Sequence, residues 1–201
     1  MTTEINTTEL TTTEPINGAI FAPAQFEHAQ RIAKVLSSSD LVPTQYKNNV
    51  ANTLVALEMA NRMGASPLMV MQNLHIIHGR PSWGSSFIIA SLNSCGRFTT
   101  LRFIGDSNKC KAVATDKVTG ELLEGPTVSL EMAKAEGWLT KSGSKWQTMP
   151  ELMLKYRAAA FFGRLYAPEV LMGMQTAEEV IDITPIQPAS VDAINEKIKA
   201  K

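Results

Sequence analysis

The chain has 201 residues, 44% apolar and 19% charged, with a formal net charge of +0. That is the composition of an ordinary globular protein and suits one medium domain with tails. No apolar run reaches the roughly 18 to 20 residues of a membrane span, and the threonine-rich start has neither the basic nor the apolar region of a secretory signal, so a cytoplasmic location is expected. Cys95 and Cys110, without CxxC spacing, cannot build a disulfide framework or a four-cysteine zinc site, and read as small apolar residues near a sheet. The neutral total hides a distribution. Residues 1–19 hold Glu4, Glu9 and Glu14 and no base, whereas residues 20–175 hold 16 Lys or Arg against 11 Asp or Glu. The excess concentrates in Arg80, Arg97, Arg102, Lys109, Lys111 and Lys117, then in Lys141, Lys145, Lys155, Arg157 and Arg164. A basic middle suits a polyanionic partner, although a solvated charged face has the same composition.

In chain order, residues 1–22 are too polar to bury the surface that offsets ordering entropy, and a disordered tail is expected there. Phe26, Ala29, Ile32, Ala33 and Leu36 recur at helical steps and predict a helix over 24–36. A second helix is predicted over 44–63, with Gly64 as a left-handed cap, and a short third one opens at Ser66-Pro67. Leu74 to Gly84, with a turn at Gly79 to Ser82, reads as a hairpin. Phe87 to Leu92 is short enough to be strand or helix, and helix is preferred. Runs over 98–104, 109–115 and 121–128, separated by Gly105-Asp-Ser-Asn108 and Thr119-Gly120, predict a three-stranded antiparallel meander. Ser129 opens another helix, and Pro150 to Tyr166 is the strongest, closed by Pro168. A short flexible tail is expected over residues 184–201. The expected fold class is α+β: a small antiparallel sheet of hairpin and meander packed with several helices, in one core domain over 23–183.

No phosphate-binding GxxxxGK[ST] or GxGxxG and no GxSxG elbow occurs. His75 and His78 are three apart, which in a strand divides them between faces, and no third ligand lies nearby in sequence. No catalytic constellation is found, and an enzyme is not expected. A metal-dependent nuclease using these histidines is the remote alternative. On a wheel of 100° per residue, Leu154, Ala158, Phe161 and Leu165 form one stripe, read as the core-facing seam of the last strong helix. Arg157 and Arg164 lie about 20° apart and about 10.5 Å along the axis, spaced to meet one phosphate backbone, while Lys155 falls on the other flank. Their alternative role is an amphipathic boundary with snorkelling side chains. Trp83, Phe98, Phe103 and Trp146 intersperse with Arg80, Arg97, Arg102 and Lys145, the cation-and-ring mixture of a single-strand groove; Phe103 and Phe87 read as packing.

The stretch Trp146-Gln-Thr-Met-Pro150, then Met153-Leu-Lys-Tyr-Arg157, Arg164 and Met174-Gln-Thr-Ala-Glu-Glu179, resembles the core of the RecT/Redβ phage single-strand annealing proteins. The preceding order of elements, with the Ser66-Pro67 step and the Gly79 to Gly84 hairpin, is similar as well, and the resemblance spans residues 26–183. It implies an α+β core, ATP-independent binding of single-stranded DNA, annealing of complementary strands, and homo-oligomeric rings or helical filaments. It also implies the cytoplasm of a bacterial host and a phage or prophage gene. By motif position Lys155, Arg157 and Arg164 would bind DNA, with Trp146 supporting the start of that helix; Arg97, Arg102, Lys109 and Lys111 are added from charge alone. Two departures stand out. Glu151 follows Pro150 where Redβ-like members carry a base, and residues 184–201 show no separate module of the kind that meets a phage exonuclease or host single-strand-binding protein. No cofactor is expected, and any help from Mg²⁺ in annealing would leave no ligand motif. A strand-protecting accessory protein without annealing activity is the alternative reading.

Overall fold

The computed structural model describes residues 23–183; the tails expected over 1–22 and 184–201 lie outside the described residues. The fold is α+β, with its residues grouped in two compact units that divide between Gln72 and Asn73. Among the described residues no helix is long and apolar enough to cross a membrane.

The first unit is helical. Helix α1 (Pro23–Ser37) packs on α2 (Val50–Met63) through Ala29, Ala33, Ala56 and Ala60, small side chains that let the two axes approach. Helix α2 starts later than the periodicity suggests. Residues 43–48 form turns around the buried Tyr46, and the Asn49 side chain caps the helix by accepting from the Asn52 N–H at 3.0 Å. Its far end is closed as expected: Gly64 has φ +61° and its N–H reaches the last-turn carbonyls of Ala60 and Asn61. Helix α3 (Pro67–Asn73) follows.

The second unit opens with the antiparallel ribbon β1 (Leu74–Ile77) and β2 (Arg80–Trp83), turned by His78 and Gly79, both at positive φ. Those angles define a two-residue turn whose twist matches the strands, so the turn is tighter and earlier than Gly79 to Ser82. Helix α4 (Ser85–Ser94) settles the ambiguous Phe87 to Leu92 run as helix. The meander follows as β3 (Arg102–Gly105), β4 (Lys109–Thr115) and β5 (Leu122–Glu124), with a fourth strand, β6 (Val128–Ser129), returning to the start of β4. Gly105 permits the tight β3–β4 connection: a Cβ there would stand 2.0 Å from the Lys109 carbonyl oxygen. Helices α5 (Leu130–Ala135), α6 (Lys145–Thr148), α7 (Pro150–Tyr166), α8 (Pro168–Leu171) and α9 (Ala177–Ile183) complete the unit.

The core of this unit lies between the inner face of the sheet and α7, with α4 also packed on α7. Ala112, Ala114 and Val128 meet Leu154, Ala158 and Phe162, and the Phe98 and Phe162 rings stand edge to face at 5.5 Å. Gly163 sets the approach of α8, since a Cβ there would lie 2.8 Å from Leu171 Cδ1. The buried face of α7 therefore runs through Leu154, Ala158, Ala159, Phe162 and Gly163. This corrects the predicted seam at its C-terminal half, where Phe161 is half-buried and Leu165 is exposed, because the alanine and glycine positions rather than the largest side chains meet the neighbouring helices.

Candidate nucleic-acid interface

Helix α9 reaches α7 through a chain of polar contacts. Its start is a reciprocal capping box: Thr176 Oγ1 accepts from the Glu179 N–H at 3.0 Å, and Glu179 Oε2 accepts from the Thr176 N–H at 2.9 Å. Thr176 is bridged to Trp83 of the ribbon, whose N–H donates to the Gln175 carbonyl at 3.0 Å. This fixes Glu179 so that Oε1 accepts from Arg164 Nη2 and lies 3.8 Å from Arg157 Nε. Asp182, one turn later, accepts from Arg157 Nη2 and from Trp146 Nε1, the latter at 2.8 Å. The Arg157 guanidinium lies 3.8 Å from the centroid of the Trp138 ring, which tilts against Trp146 at 5.2 Å.

Arg157 is thus enclosed by two indoles and two carboxylates, and only 4% of its side chain is exposed. Burial pulls its pKa below the ordinary guanidinium value, with Glu179 and Asp182 opposing. Burial likewise raises the Asp182 carboxyl, against the Trp146 hydrogen bond and the Arg157 charge. Desolvation outweighs pairing on both partners, the usual balance of a buried ion pair. The expectation that Arg157 and Arg164 present one phosphate row is revised accordingly: the two do share a flank of α7, but that flank faces the carboxylates of α9. Trp146 sits with them as a buried donor to Asp182.

The outer face of the sheet is different. In register, Arg102 stands opposite Val113, which stands opposite Glu124; Ile104 pairs with Lys111 and Lys109 with Ser129, all on the face turned away from α7. Arg102 and Lys109 are exposed, and neither forms an ion pair among the described residues. Four residues along the strand and one strand across place their Cα atoms about 14 Å apart, close to four phosphate steps of a stacked strand. Lys111 is held by Glu124 at 2.6 Å. Arg97 is tied to Asp116 at 3.2 Å and Glu169 at 3.4 Å, and it also donates to the Tyr166 carbonyl. Lys155 is exposed on the far flank of α7, where its charge opposes the upward push of burial on the Cys110 thiol. Cys110 is buried as expected, whereas Cys95 is exposed at the end of α4.

The rings that the sequence offered for base stacking lie inside. Trp83, Phe98 and Trp146 are fully buried, and Phe103 points to the inner face of the sheet. A ring assigned to the core, Phe161, instead borders an open cleft of about 400 Å³ between α7 and α9. Arg164 lies over this ring, 5.1 Å from its centroid, and Pro126, Arg157, Leu165, Gln175, Glu179 and Ile183 line the rest. His75 lies in β1 against Gly84 and His78 in the turn, and among the described residues no group of three or more His, Cys, Asp or Glu is arranged to hold a metal ion. Compared with known proteins, the chain matches no protein-family model, and no curated protein matches it.

Proposed function

We propose that this protein binds single-stranded DNA without ATP and anneals complementary strands, in the manner of the RecT/Redβ phage recombinases. The observation that carries the reading is the pair Arg102 and Lys109: two exposed cations on one sheet face, neither held in an ion pair among the described residues, although the Asp106 carboxylate acts on Lys109 through space. Cations left unpaired in this way are available to phosphates, which contribute affinity without selecting sequence. The Trp146 to Glu179 motif supports the same reading through its place in the fold, where it joins α6, α7 and α9 by the Arg157 cluster. No bond is made or broken. Positive charge offsets repulsion between strands, homo-oligomerisation into rings or filaments multiplies weak contacts, and base pairing supplies specificity. A phage exonuclease or host single-strand-binding protein would act beside it in a bacterial cytoplasm.

The test is fluorescence anisotropy of a labelled oligo(dT) titrated at several salt concentrations. Replacing Arg102 and Lys109 together by Ala should weaken binding and flatten the plot of log affinity against log salt by up to about two contacts. An unchanged slope would remove the sheet face from the interface.

A further inference from the structure

We infer that the cleft between α7 and α9 holds one unpaired base of the bound strand, stacked on the Arg164 guanidinium and the Phe161 ring. This rests on the single-strand reading and assigns Arg164 a role other than the phosphate contact its sequence position suggests. Charge comes first. Arg157 and Arg164 are matched by Glu179 and Asp182, so among the described residues the cleft carries no net positive charge to attract a phosphate. What remains is shape and polarisability. Glu179 fixes the Arg164 side chain, a third of which remains exposed, and its planar guanidinium lies against the half-buried Phe161. Guanidinium planes and aromatic rings are the two surfaces on which proteins stack unpaired bases. Leu165 and Ile183 add apolar borders, and the half-buried Gln175 side chain makes no hydrogen bond among the described residues, leaving its amide for the polar edge of a base. The cleft volume lies within the range of sites for small planar ligands. One anchored base per subunit would set the position of the strand while its neighbours stay free to pair.

The experiment compares the full-length protein on short oligo(dT) and on an abasic oligonucleotide with the same number of phosphates, by anisotropy across a salt series. The wild type should prefer the base-containing strand by about tenfold. Phe161→Leu keeps the apolar volume and Arg164→Lys keeps the charge opposite Glu179, and each should abolish that preference while leaving the salt slope unchanged. Circular dichroism confirms that the variants are folded, and Phe161→Leu leaves the Glu179 ion pair intact should Arg164→Lys unfold. Equal wild-type affinity for the two strands, or a preference that survives Phe161→Leu, overturns the base site while leaving single-strand binding standing. Failure of the wild type to bind either strand overturns the single-strand reading and the base site with it.

Discussion

Arg157 shows how a single residue can carry a functional-looking signature and a structural role. Removing its charge strands Glu179 and Asp182 beside two indoles, so Arg157→Met should destabilise the protein by about 3 to 5 kcal/mol, measured by urea unfolding; a loss below about 0.5 kcal/mol would show that the cluster is solvated. The carboxylates predict opposite pH effects. The raised pKa of Asp182 means that the folded state holds its proton more tightly than the unfolded chain, so this residue's contribution falls as pH rises from the ordinary carboxylate value to the raised one. Asp116 behaves the other way. The Val118 and Thr119 backbone N–H groups, then Arg97, hold its pKa down, so its contribution is present above the ordinary value and is lost as pH falls through the lowered one. Asp116→Asn should therefore flatten the acid limb of the stability profile below about pH 4, and an unaltered acid limb would contradict it. The helix wheel correctly put Arg157 and Arg164 on one flank, since azimuth depends only on spacing. It could not show their partners, which arrive from α9 through tertiary packing. The available signal was Thr176-Ala-Glu-Glu179 with Asp182 three residues on, a capping box whose acids share one helix face.

Element by element, legibility follows length and boundary chemistry. Helix α7 was readable at both ends because Pro150 opens it and Pro168 follows it, and β4 was readable because seven residues lie between two turns. Helices α6, α8 and α9 span four to seven residues, too few to display a period. Strands β5 and β6 divide at Gly125, whose N–H still bonds the Ala112 carbonyl at 2.8 Å, so one predicted run becomes two short pairings. The face of α7 was only half legible, because hydrophobicity favours Leu165 over Gly163 whereas close packing of α8 demands the reverse. Three substitutions measure this. Leu154→Ala should cost about 2 to 5 kcal/mol, Gly163→Ala about 1 to 3 kcal/mol through overpacking against Leu171 and Leu92, and the exposed Leu165→Ala less than about 0.5 kcal/mol. Equal melting temperatures for the Leu154 and Leu165 variants would mean that α7 is turned differently.

For the whole molecule, composition set the class and the α+β order of elements could be read from periodicity, whereas the functional surface could not. A zero net charge becomes informative only after pairing is known: Arg97, Lys111, Arg157 and Arg164 form ion pairs, whereas among the described residues Arg102, Lys109 and Lys155 form none and Lys109 feels Asp106 only through space. Pairing is set by strand register and helix docking, which bring Lys111 to Glu124 across 13 residues and Arg157 to Asp182 across 25. The aromatic residues divide the same way, with the tryptophans nearest to bases in turns proving to be core and Phe161 opening on the cleft. Strand annealing is tested most directly by the rate at which two dye-labelled complementary oligonucleotides pair in the presence of the full-length protein, without ATP, across protein and salt concentrations. Pairing should be faster than in the protein-free control, with the acceleration reduced when Arg102 and Lys109 are replaced by Ala and weakened as salt rises. Tight binding that leaves pairing at the control rate or blocks it would contradict annealing and leave a protein that protects single strands.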